Sequence, residues 1–133
     1  MASGTVITNK GQTIMLNRTF KAVPDYLEPS QFKIGTGTTT PLVSDTDVET
    51  VVDITAGVEE KEFVTAYPVI DETNNQVTFR GFLNSLEGNG NSITEFGIFN
   101  EDASSLMYSH AVFTAITKTS AVEVSFVQKD KLE

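Results

Sequence analysis

The chain has 133 residues, 39% of them hydrophobic, a net charge of −9, and neither cysteine nor tryptophan. This length suits one domain with one core, burying roughly two-thirds of the surface of its unfolded chain. Disulfides, thiol chemistry and Cys-ligated metals are excluded, and so acidic a chain repels free nucleic acid, whose binding rests on neutralised phosphates. No apolar run approaches the roughly 18 residues of a membrane span, and MASGTVITNKGQ lacks the charged-then-apolar pattern of a secretory leader. The charge is uneven. Residues 1–44 hold four basic and two acidic groups, and residues 45–133 hold five and sixteen. Such acidity favours solubility, and the polarity between the two parts also suits head-to-tail packing of copies.

Residues 1–7 read as a short polar lead with one apolar step, Val6-Ile7. Thr8 is placed to cap a helix by accepting from the amide three residues on. Leu16, Phe20 and Val23 recur at helical spacing, so a helix is expected over residues 8–20. The alternation of Ile14 and Leu16 is the competing strand signal, and Gly11 weakens either reading. Pro24 and Pro29 bracket an irregular crossing, since each pushes its preceding residue towards extended geometry.

Gln31 to Gly35 reads as a strand with Phe32 and Ile34 on one face, running into Gly35-Thr36-Gly37-Thr38-Thr39-Thr40-Pro41. A phosphate loop would need a Lys-Ser/Thr pair and a following helix, and both are missing, so this is a polar surface turn. Ser44-Asp45-Thr46-Asp47 is expected to open one helical turn, followed by a strand from Val48 to about Thr55. Asp45, Asp47, Glu49 and Asp53 lack the central Gly and terminal Glu of an EF-type calcium loop, and read as a solvated rim.

Lys61–Ile70 and Gln76–Leu86 form a hairpin across the Asp71–Asn75 turn. The Glu87–Asn91 turn leads into NSITEFGIFN, residues Asn91–Asn100. Here Ile93, Glu95, Gly97 and Phe99 point one way and Thr94, Phe96 and Ile98 the other. Large apolar groups on both faces predict a central strand covered on both sides. Gly97 inside it marks a bulge or a close backbone approach. Glu95 sits among apolar neighbours and needs a hydrogen-bond partner or water; the alternative is a solvated Glu near a strand end. Leu106–Phe113 returns with Met107, Ala111 and Phe113 inward, Ile116–Thr119 connects, Ala121–Gln128 closes the sheet, and the Lys129–Glu133 tail is expected to fray.

Five strands without an intervening helix predict a mainly β fold. The expectation is an antiparallel β-sandwich with one N-terminal helix across an edge or end, a single module over residues 1–133. The expected inward set is Leu16, Phe20, Phe32, Ile34, Val52, Phe63, Val77, Phe79, Ile93, Phe99, Phe113, Val124 and Phe126.

Chemistry is sparse. His110 is the single histidine, so a metal site or a His-dependent triad would have to be built on it alone. No Gly-x-Ser-x-Gly occurs. His110 therefore reads as a partly exposed strand residue beside Tyr108 and Val112, and Glu59-Glu60-Glu62 as a solvated charge run. The aromatics are mostly Phe at core-like positions, which argues against a sugar-binding platform, although Tyr26, Tyr67 and Tyr108 are available for one. No enzyme activity, cofactor or metal is expected.

The order of segments resembles small bacteriophage virion proteins and the N-terminal attachment domains of phage tail-fibre and tail-collar proteins. The resemblance runs from Thr8 to Gly11, through Phe32-Lys33-Ile34-Gly35-Thr36-Gly37 and Ser44-Asp45-Thr46, to an I-T-E-x-G-[IL]-F-N strand at Ile93–Asn100. It closes with an L-M-x-x-x-x-F-x-x-I-x-K return at Leu106-Met107, Phe113, Ile116 and Lys118. It covers about residues 8–127, with Glu-x-Gly-Ile-Phe-Asn its most telling part. The resemblance implies a β-sandwich module in a virion, assembled in the host cytoplasm, in several copies as a trimer or hexamer. Its partners would be other virion structural proteins, with no nucleic acid and no membrane. The implied role is a tail, baseplate or fibre-anchoring adaptor; a capsid decoration or cement protein is the alternative. A small carbohydrate-binding or enzymatic domain is the reading from another class. The chain ends where a fibre protein would continue into a shaft, so receptor binding by a distal tip is not expected. Val6, Ile7, Lys10, Thr36, Thr38, Thr40 and Leu42 are the expected assembly contacts. They lie in segments less acidic than the rest and poorly supplied with core of their own.

Overall fold

Strand Asn91–Asn100 is central, as its two apolar faces predict. A computed structural model describes residues 4–132. The elements in chain order are β1 (Gly4–Ile7), α1 (Asn9–Phe20), β2 (Pro29–Gly35), β3 (Val51–Val52), β4 (Lys61–Glu62), β5 (Val69–Asp71), β6 (Gln76–Leu83), β7 (Asn91–Asn100), β8 (Met107–Lys118) and β9 (Val124–Lys131). The larger sheet runs β1-β8-β7-β2-β3, with β4 also on β2, and the smaller runs β5-β6-β9; every pairing is antiparallel. The fold is a mainly β sandwich with one N-terminal helix.

The two sheets bury an aromatic layer. Phe32 and Phe96 have ring centres 5.4 Å apart, Phe96 and Phe126 5.2 Å, and Phe79 and Tyr108 5.6 Å. Gly81 on β6 makes room for it, since a Cβ there would lie 2.9 Å from the Phe32 ring. Ile34, Val52, Phe79, Ile93, Val124 and Phe126 are buried in this core, and Phe63, Val77 and Phe113 are half-buried against it. Phe99 is also buried, but on the opposite face of β7, with Val48 and Met107, so Met107 does not point inward with Ala111 and Phe113 as expected. Register shifts at Ile93/Glu95 and Ile98/Phe99 turn Ile93 to the side of Phe96 and Ile98 rather than that of Glu95.

Thr8 caps α1 as expected. Its hydroxyl oxygen accepts from the Gly11 amide at 2.9 Å, and its hydroxyl donates to the Met107 carbonyl at 2.7 Å. The inward placement of Leu16 and Phe20 is overturned: they are 61% and 80% exposed. The helix instead presses Gly11 and Ile14 inwards, and a Cβ on Gly11 would stand 2.1 Å from the Tyr108 carbonyl oxygen. That approach selects which face is covered. Residues 16 and 20 share a ridge on another side.

Other boundaries move for identifiable reasons. The Lys61–Ile70 run is not one strand: β4 pairs with β2 in the larger sheet and β5 with β6 in the smaller, with a turn between them closed by the Tyr67 amide on the Val64 carbonyl. The Val48–Thr55 strand shrinks to Val51–Val52, because the Glu49 and Thr50 amides bond a carboxylate instead of a ladder. Ser44–Asp47 is not helical; Asp45 closes a turn on Leu42 through both its amide and its side chain. Residues 4–7 are a strand rather than a polar lead, and β8 continues through Ile116 to Lys118, paired with Asn91–Ile93. Lys129–Lys131 is not frayed but pairs with Gln76–Thr78, while Ala121–Glu123 precedes β9. Glu133 lies outside the described residues.

Candidate functional site

The outer face of the β7–β8 pair carries the chain's single histidine, on β8, and a fully buried carboxylate, on β7. On the β7–β8 ladder Gly97 stands opposite His110, which brings the imidazole against Glu95 two residues along. Glu95 Oε1 accepts from His110 Nε2 at 2.8 Å and from the Glu49 amide at 2.7 Å. Its Oε2 accepts from the Gly37 amide at 2.7 Å and the Thr50 amide at 3.1 Å. The other ring nitrogen, His110 Nδ1, lies 2.7 Å from Asp45 Oδ2, which also accepts from the Leu42 amide. His110 is therefore buried and doubly engaged, not partly exposed as its sequence context suggested. Glu95 takes the partnered reading rather than the solvated one.

Gly35 and Gly37 explain themselves here. A Cβ on either would come within 2.4 or 2.6 Å of Glu95 Oε2. The glycine-rich turn thus does wrap an anion, but the anion is the chain's own carboxylate. Thr94 adds a hydroxyl bond to the Gly37 carbonyl at 2.5 Å. The Glu49 carboxylate accepts from the Thr38 and Thr39 amides and the Thr39 hydroxyl. The loop between Thr36 and Thr50 is pinned across the sheet by these bonds, and it brings Val48 down beside Phe99 and Met107.

Burial alone would push the Glu95 carboxyl up. The bonds from His110 and from the Glu49, Thr50 and Gly37 amides outweigh it and hold the group at about 2. Burial likewise opposes charge on His110, but the bonds to Glu95 and Asp45 prevail and raise its pKa. An imidazolium donating to two carboxylates is the species this geometry favours. Both ring nitrogens and both Glu95 oxygens are engaged within the chain, so the cluster ties the loop to the sheet.

A second ionic group lies further along the same face. Lys33 Nζ sits 4.7 Å from the centre of the Phe99 ring and 3.2 Å from Asp47, with Glu60 and Glu59 at 3.8 and 4.0 Å. Glu59 and Glu60 are thus drawn to a buried lysine rather than simply solvated. Between the sheets, Gln128 Nε2 bonds Ser109 Oγ at 3.0 Å, while burial raises both the Tyr108 hydroxyl and the Asp130 carboxyl. Sequence reasoning flagged Glu95 and Gly97 but missed Asp45 and the three amides. The available signal was the Gly-x-Gly turn itself, which needed an anion to surround.

The expected assembly residues scatter. Val6 and Ile7 pair with His110 and Ser109 on β8, and Ile7 packs against the sandwich core. Lys10 is half-buried with its ammonium 5.4 Å from the centre of the Tyr26 ring. The Thr36 amide bonds the Thr50 carbonyl. Thr38, Thr40 and Leu42 are exposed on the pinned loop. Grooves open elsewhere among the described residues: one of about 650 Å³ between β8 and the β9 edge, one of about 310 Å³ between α1, β5 and the end of β9, and a shallow hollow of about 440 Å³ along Leu16 and Phe20 on α1. Among the described residues no group of three or more His, Asp or Glu is arranged to hold a metal ion, and no helix is long and apolar enough to cross a membrane. Comparison with protein families, with curated proteins and with solved structures finds no match in any of the three.

Proposed function

We propose that the chain is a structural subunit of a phage particle, an adaptor of the tail or baseplate that anchors a fibre or joins ring layers by protein–protein contacts. One observation carries this reading. The separated pieces of the virion-like pattern meet across the β7–β8 pair: Thr8 bonds the Met107 carbonyl, Gly11 packs on the Tyr108 backbone, the Gly37 amide bonds Glu95, and Asp45 bonds His110. Pattern residues that serve to fix a scaffold belong to a module selected for its shape. The reading as a non-enzyme is supported by the same strand pair, whose one imidazole and buried carboxylate are consumed by internal bonds. Its partners would be other virion proteins and copies of itself, and the acidity argues against nucleic acid.

The test is a copy count and a position in purified particles. Roughly three to a few dozen copies, in multiples of three or six and placed at the tail, support the adaptor. Hundreds of copies over the head surface would replace it with the decoration protein, and absence from particles would defeat both.

A further inference from the structure

Among the described residues, nothing covers the ridge that α1 turns away from the core. Leu16 is 61% exposed, Phe20 80% and Val23 76%. Single exposed apolar residues are ordinary, but these three are grouped on the outer side and at the C-terminal end of one helix. Lys10, Arg18 and Lys21 accompany them, and α1 contains no acid. Asp25 and Glu28 meet Lys21 and Arg18 at 2.5 and 3.3 Å, which leaves this end close to neutral on a chain of −9.

The smaller groove has the opposite character. Ile7, Ile70 and Leu132 supply apolar wall, and Ile70 and Leu132 are themselves 74% and 65% exposed. Asp71, Glu72 and Asp130 line it too, against the single cation Lys131. It is an apolar slot in an acidic setting, of about 310 Å³.

We infer that the Phe20 end of α1 docks in the Ile70–Leu132 groove of a second copy of this chain. An exposed aromatic meets an open apolar slot. This near-neutral end belongs to residues 1–44, which hold four basic and two acidic groups, and it meets Asp71, Glu72 and Asp130 of the acidic remainder of a second copy with less repulsion than an acidic patch would. Knob and slot are different patches of one surface, so each copy offers one of each. Such a contact is heterologous and makes a closed ring where its rotation closes. The inference rests on the scaffold reading for its purpose, though its chemistry is independent of phage particles.

Sedimentation of the full chain over a wide concentration range tests it, with Phe20→Asp and Ile70→Asp as separate variants. Both positions are exposed, so circular dichroism and melting of the dilute chains should match the wild type. The wild type should self-associate, and each variant should lower the association constant at least about tenfold. Mixing the two variants is the sharper measurement. The intact slot of one and the intact knob of the other should form a 1:1 pair that grows no further. A wild type that stays monomeric overturns the inference, as does association indifferent to Phe20→Asp, or a mixture that does not pair. Incorporation into particles that needs Phe20 while the free chain stays monomeric would also overturn it, by assigning the ridge to another protein. The failures remain distinguishable: self-association without presence in particles sinks only the virion role, and particle-bound monomers sink only the docking.

Discussion

The two faces of β7 are both buried, yet they are held by different physics. The inner face sets Ile93, Phe96 and Ile98 against the smaller sheet, where stability scales with the apolar area removed from water. The outer face carries Glu95 and Phe99 under the loop between Thr36 and Thr50, a segment with few large apolar residues of its own. There, three loop amides and an imidazole converge on one carboxylate. A polar loop can thus be fixed to a sheet by surrounding an anion that the sheet supplies. The inner face should be insensitive to pH and the outer face should not.

The largest effect should come from removing one side of this comparison at a time. Glu95→Ala leaves three amides without their acceptor and His110 facing only Asp45, and should cost about 3–5 kcal/mol at pH 7 by denaturant unfolding. Phe96→Ala should cost a similar ~3–5 kcal/mol through its cavity. The losses should part company in acid. The Phe96→Ala deficit should stay constant from pH 7 to pH 3, while the Glu95→Ala deficit shrinks. Parallel profiles would show that the carboxylate is not the pin.

The pH dependence of the wild type follows from the same groups. Glu95 has its folded pKa lowered from 4.5 to about 2, so its stabilisation is present above pH 4.5 and is lost as pH falls towards 2. That interval corresponds to ~3 kcal/mol. His110 has its folded pKa raised above 6.5, so its contribution is complete below pH 6.5 and is lost as pH rises through the raised value. Stability should therefore fall on both sides of the range between these limits, and Glu95→Gln should flatten the acid limb.

Much of the inner face was legible on β2, β6 and β9, where alternation reports which side chains share a face; on β7 it failed, because a register shift between Ile93 and Glu95 turns Ile93 to the side of Phe96 and Ile98. The central position of β7, the need of Glu95 for a partner, the close approach at Gly97 and the Thr8 cap were all readable from local spacing. The outer face was not. The burial of His110 depends on a loop arriving from 65 residues away in sequence, at Asp45, and backbone amides leave no mark in a list of side chains. Alternation also continues smoothly where a chain leaves one sheet for another, which is why Lys61–Ile70 read as one strand.

Gly11→Ala separates intrinsic preference from packing. In an open helix this change gains about 1 kcal/mol. Here the new methyl meets the Tyr108 carbonyl oxygen, a backbone atom with no rotamer to yield, and α1 must lift from β8. The net change should be a loss of about 1–3 kcal/mol by denaturant unfolding, with the strands intact by circular dichroism. A gain would mean that the helix is held at a looser distance.

The smallest effect should be at Phe20, where the helical spacing most strongly suggested core. Phe20→Ser removes a large aromatic side chain, and a core Phe truncation would cost about 3–5 kcal/mol. At 80% exposure there is little buried area to lose and no cavity to create, so the unfolding free energy of the dilute chain should change by no more than about 0.5 kcal/mol. Dilution matters, because association through this ridge would add apparent stability that rises with concentration. A loss of several kcal/mol in the dilute monomer would return Phe20 to the core and reverse which side of α1 faces β8. A loss confined to high concentration would place its contribution at a contact between chains.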